Sequence, residues 1–91
     1  METVFINARI SENKKSEFFQ VIESLKTLIE DYCKDFELKI EKDNSVNISI
    51  TFEDKVDLEE NFNNKEFNIL KGSIRSLCDK VEITINDNVS K

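Results

Sequence analysis

Ninety-one residues, 38% apolar and 35% charged, fit one small globular domain and argue against a disordered chain. Nineteen acidic residues against thirteen basic ones give a net charge of −6, which repels phosphate backbones and excludes nucleic acid and anionic membranes as expected partners. No apolar run approaches the ~20 residues that span a bilayer, and the chain opens on a strand pattern rather than a charged-then-apolar leader, so a cytoplasmic protein is expected.

The first predicted element is a strand over 3–10. Val4, Ile6, Ala8 and Ile10 point one way, and Thr3, Phe5, Asn7 and Arg9 the other. Ser11 or Asn13 is placed to cap a helix over about 14–33. Phe18, Val21, Ile22, Leu25, Leu28, Ile29 and Tyr32 form its expected apolar face. A second strand at 36–41 carries Phe36, Leu38 and Ile40 in alternation. Lys42-Asp43-Asn44-Ser45 is turn chemistry, because Asp and Asn tolerate left-handed backbone and bond their own main chain. Val46, Ile48, Ile50 and Phe52 then complete a hairpin.

At Phe52 the period changes from strand to helix. Asp54 or Asp57 can cap a short helix to about Asn63, with Val56, Leu58 and Phe62 at helical spacing, and Asn64 can cap a longer one over about 65–79. Phe67, Leu70, Ile74 and Leu77 are the expected buried face of that helix. Gly72, the only glycine, interrupts it at some cost in helix propensity, and close packing against the sheet is the expected reason. Val81, Ile83 and Ile85 make a last strand. Residues 1–86 thus form a single domain, and 87–91 a polar tail.

The order β-α-β-β-α-β has one favoured solution, an α+β ferredoxin-like fold: a four-stranded antiparallel sheet with both main helices on one face. The other sheet face then carries Thr3, Phe5, Asn7, Arg9, Glu37, Lys39, Glu41, Asn47, Ser49, Thr51, Glu82 and Thr84. Water can cover such a face. Phe5, and the chance for Arg9 and Lys39 to pair with Glu37 and Glu41, point instead to a homodimer joined sheet to sheet. Phe5, Asn7, Arg9, Lys39, Ser49 and Thr51 would form its interface. A domain this short gains stability from such pairing.

Phe52-Glu53-Asp54, Leu58, Asn61-Phe62 and Glu66-Phe67 carry a resemblance to the antibiotic biosynthesis monooxygenase-like family, small ferredoxin-like domains that dimerise into an α+β barrel. The family's Trp position holds Phe52, and its two His positions hold Asn61 and Glu66. With no His or Trp anywhere, the haem-degrading branch's mechanism is excluded in its usual form. The resemblance instead implies cofactor-free oxygenation of a small aromatic or quinol-type substrate, whose own carbanion reacts with oxygen. The implied pocket lies between sheet and helices and is lined by Ala8, Phe18, Ile22, Phe52, Phe62 and Phe67. Asn61 and Tyr32 are its candidate polar groups and Glu66 its candidate base. The alternative is that these apolar side chains are simply core, and that the protein is a non-catalytic homodimeric module binding a small apolar ligand or serving assembly.

No metal or other cofactor is expected. Glu53-Asp54 and Asp57, Glu59, Glu60 lack the glycine and ligand spacing of a calcium loop. Cys33 and Cys78, read as lying on separate helices, are too few for a zinc site without His and are expected to stay reduced and unpaired.

Overall fold

The computed structural model describes residues 1–86 of the chain, so the 87–91 tail lies outside the described residues. Four strands, β1 (Glu2–Ile10), β2 (Asp35–Ile40), β3 (Ser45–Phe52) and β4 (Cys78–Asn86), form one antiparallel sheet in the order β2-β3-β1-β4. Three helices, α1 (Lys15–Ile29), α2 (Lys55–Asn61) and α3 (Lys65–Leu77), accompany it. This is the expected ferredoxin-like arrangement.

Strand alternation sets which face is buried. Val4, Ile6, Ala8 and Ile10 of β1 and Val46, Ile48, Ile50 and Phe52 of β3 are all buried in one cluster with the inner faces of the helices. The register Val4↔Ile50, Ile6↔Ile48, Ala8↔Val46 puts these apolar side chains directly opposite one another, where cross-strand contact is closest. Between β2 and β3, Asn44 takes a positive φ of 70°, and Asp43 Oδ1 accepts the Ser45 N–H at 3.1 Å, as the turn composition anticipates. Those Ser45 hydrogen bonds hold the Asp43 carboxyl below its usual range, with Arg9 a lesser contributor.

The opposite face holds the six expected interface residues. Asn7, Arg9 and Lys39 are exposed, and Phe5, Ser49 and Thr51 are half-buried. Thr3 and Thr51 bring their hydroxyls to 3.3 Å across the strands, and Lys39 approaches Glu41 at 3.9 Å.

Several local expectations need correction. Neither Ser11 nor Asn13 caps α1. Lys14 occupies the cap without a side-chain bond, while Asn13 (φ 68°) turns the chain and the Ser11 carbonyl accepts the Lys14 N–H. The helix stops at Ile29 and tightens into a 3₁₀ turn, Glu30–Tyr32, which takes Tyr32 off the buried stripe to 40% exposure. Leu28 sits on the flank of that stripe and is 51% exposed. Val56 is exposed as well, because only Leu58 and the residue after the helix, Phe62, turn α2 toward the core.

α3 buries the four residues expected of it, but ends at Leu77. β4 begins at once with Cys78, so neither cysteine lies in an α-helix. A bulge between Asn7 and Arg9 of the partner strand, with Lys80 at φ 52°, lets Asp79 and Glu82 both face outward. Both cysteines are free, as expected. Gly72 packs against nothing: a Cβ built there meets no atom within 4 Å.

Candidate functional site around α2

The sequence places a cap before each of the two later helices, and both form. Asp54 Oδ1 accepts the Asp57 N–H at 2.8 Å, and Asn64 Oδ1 accepts the Phe67 N–H at 2.9 Å. These caps fix α2 as a seven-residue helix lying across one end of the sheet, with a concavity on each side of it.

The six apolar residues expected to line a pocket are all buried in the core cluster. The rings of Phe52, Phe62 and Phe67 pack against each other, with centroids 5.6 Å apart for Phe52–Phe67, 5.7 Å for Phe62–Phe67 and 6.3 Å for Phe52–Phe62. Such spacings are those of mutually packed rings. Of the six, Phe62 alone lines either concavity beside α2; Ala8, Phe18, Ile22, Phe52 and Phe67 pack within the core.

Toward β2 lies a polar notch of 240 Å³, and it brings together Asn61 and Tyr32. Asp31, Cys33, Lys34, Glu53 and Asp57 complete its walls. The polar groups here are largely occupied by one another. Asn61 donates through Nδ2 both to Asp57 Oδ1 at 2.7 Å and to the Asp57 carbonyl at 3.0 Å. Asp57 Oδ2 accepts the Glu53 N–H at 3.3 Å, and Lys34 reaches Glu53 at 3.4 Å. Burial pushes the Cys33 thiol up to about 11, so it is not a ready nucleophile. Cys78 is pushed up to about 11 by burial too, with Asp79 adding to it. Glu66 is half-buried in the first turn of α3 and lines neither concavity.

Toward β1 and β4 lies a larger groove of 550 Å³ at the mouth of the space between sheet and helices. Leu58 and Phe62 form its inner wall, and Ile85 of β4, 52% exposed, forms the opposite lip. Lys55, Glu59 and Asn63 stand along the α2 side. Lys71 Nζ sits 4.2 Å from the Phe62 ring centroid and 3.3 Å from Asn63 Oδ1. Glu2 closes the groove from β1. It is only 9% exposed, and its Oε1 is buried without a hydrogen-bond partner among the described residues.

Glu2 is not among the residues expected at a site, although the sequence carries a signal for it. It precedes Val4, Ile6, Ala8 and Ile10 in the same inward phase, where a carboxylate is out of place in an apolar row. Among the described residues no group of three or more His, Cys, Asp or Glu side chains is arranged to hold a metal ion.

No family model matches the chain, and no curated protein matches it either. Solved structures do. A candidate antibiotic biosynthesis monooxygenase from Deinococcus radiodurans aligns with a TM-score of 0.82 at 9% identity, over 100% of this chain and 95% of its own. A structure described as an antibiotic biosynthesis monooxygenase gives 0.78 at 17% identity, over 99% of this chain and 100% of its own. A conserved protein from Methanosarcina mazei gives 0.79 at 22% identity, over 94% of this chain and 90% of its own. From end to end, the chain has the fold of proteins described as antibiotic biosynthesis monooxygenases, the likeness that Phe52 to Phe67 carries in the sequence.

Proposed function

We propose that this chain is a cytoplasmic, homodimeric member of the antibiotic biosynthesis monooxygenase family that oxidises a small aromatic or quinol-type molecule without metal or flavin. The observation that carries the reading is the whole-chain match to structures so described, with a TM-score of up to 0.82. The groove beside α2 supplies the place. Its apolar wall of Leu58, Phe62 and Ile85 suits a flat hydrophobic body, and its position at the mouth of the sheet–helix space suits entry from water. In this chemistry the substrate's own carbanion reacts with oxygen, and the protein contributes desolvation and orientation.

Oxygen uptake tests it, measured with a panel of polycyclic quinols and phenols in the presence of a chelator. Consumption well above the spontaneous rate is expected, and Ile85→Lys, which puts a charge in the mouth, should abolish it. No uptake with any member of the panel sinks the enzymatic reading. Dimerisation through the open sheet face is a separate claim, and a monomer in sedimentation at micromolar concentration sinks it.

The packed interior favours a second reading. Phe52 and Phe67 are fully buried and Phe18 nearly so, as in a domain with no substrate cavity behind the groove. A non-catalytic dimer that binds a small apolar ligand would show saturable binding without oxygen uptake.

A further inference from the structure

A carboxylate taken out of water loses strong hydration, and it is stable there only with hydrogen-bond donors or an opposite charge to replace it. Among the described residues, Glu2 has no donor for Oε1. Its neighbours do not supply the missing charge. Lys55 and Glu59 are exposed and stand on the same wall with opposite charges, neither of them in an ion pair with Glu2, while Lys71 is taken up by Asn63 and the Phe62 ring. Among the described residues, the one charge the groove encloses is therefore that of Glu2, set among Leu58, Phe62 and Ile85 in a chain of net charge −6.

From this we infer that the groove recognises a small molecule with an apolar body and a protonated amine, whose ammonium N–H donates to the Glu2 carboxylate while its body lies on Leu58, Phe62 and Ile85. The inference rests on reading the groove as the ligand site and names the class of ligand it takes. Three features point the same way. An ammonium–carboxylate bond is stronger than one from a neutral hydroxyl. The aromatic wall is itself favourable to cations, as Lys71 over the Phe62 ring already shows. An anionic head would meet the enclosed carboxylate and be repelled.

Two-dimensional amide NMR of the full chain, titrated with 2-phenylethylamine, 3-phenylpropanol and 3-phenylpropionate, tests it. The amine should shift the amides of Leu58, Asn63 and Ile85 saturably, the alcohol should bind at least about tenfold more weakly, and the carboxylate should not bind. Glu2→Gln should weaken the amine at least about tenfold while leaving the alcohol unchanged. Should Glu2→Gln fail to fold, Ile85→Ala decides: it removes a half-exposed contact and should weaken amine and alcohol alike. Equal affinity for all three probes, undiminished amine binding in Glu2→Gln, or amide shifts confined to the Tyr32–Asn61 notch each overturn the inference. Oxygen uptake on neutral quinols with no amine binding removes this inference and leaves the proposed function standing; amine binding without any uptake does the reverse.

Discussion

The two sides of α2 are built from the same short helix and differ in what their polar groups have left to offer. On the β2 side, Asn61, Asp57, Glu53 and Lys34 are linked in one run of hydrogen bonds and an ion pair, so most of the notch's polar groups already have partners within it. On the β4 side, apolar walls surround a carboxylate oxygen with no donor among the described residues. Buried polar groups are nearly always paired, and an orphan therefore asks for an explanation, of which a missing ligand is one. Position in a family pattern points to Asn61, whereas free bonding capacity points to Glu2. The notch is explained by holding α2 in place, and the groove is not.

The strongest test of this contrast removes the groove's inner wall. Phe62→Ala should cost about 3–5 kcal/mol in chemical denaturation, since its ring packs on both Phe52 and Phe67. A loss below about 1 kcal/mol would mean that the aromatic cluster is loosely packed and that an interior pocket is back in question. Next in size, Glu2→Leu should stabilise the chain by about 1–3 kcal/mol, because an unpaired buried oxygen is replaced by an apolar side chain. Destabilisation instead would show that Glu2 has a structural partner, and the contrast between the two sides would collapse. Asp57→Ala should cost about 1 kcal/mol, as it breaks the notch's run of bonds at a partly exposed site. It should also leave ligand binding in the groove unaltered, and weakened binding there would couple the two sides. Gly72→Ala touches neither side and should raise stability by about 0.5–1 kcal/mol, since the added methyl meets nothing and the helix gains propensity.

The last prediction concerns pH. Both thiols are raised from 9.0 to about 11 in the folded chain, so folding favours their protonated form. Their contribution is fully present below about pH 9 and is lost as pH rises toward about 11. The Cys33→Ser, Cys78→Ser double variant should lose less stability than the parent chain between those values. Parallel curves would show that the thiols do not contribute.

Much of this structure is legible in the residues. Alternation in 3–10 and 36–52 reports the buried faces of β1 to β3, and the parity of Ala8 against Asn7 holds because side chains on a strand cannot change sides without a bulge. Where a bulge does occur, the reading slips. Cys78 and Asp79 look like the end of a helix because the strand starts without a loop and turns through a positive φ at Lys80. Gly72 looks like a packing device, and only the empty space around it says otherwise. Asn61 and Tyr32 do share a concavity, and the Asp57 bonds that occupy Asn61 Nδ2 join residues four apart on one helix, a spacing that could have been read from the sequence.

By itself, then, the order and period of the side chains determined the element sequence, the ferredoxin-like fold and the division of the sheet into an apolar and a polar face. These follow from local geometry and burial, which repeat every two or 3.6 residues. The tertiary structure alone decided that Phe52, Phe62 and Phe67 close on each other, that α2 has a satisfied side and an unsatisfied one, and that Glu2 meets Ile85 across a groove. The last of these joins residues more than eighty positions apart in the chain, where no local period reaches.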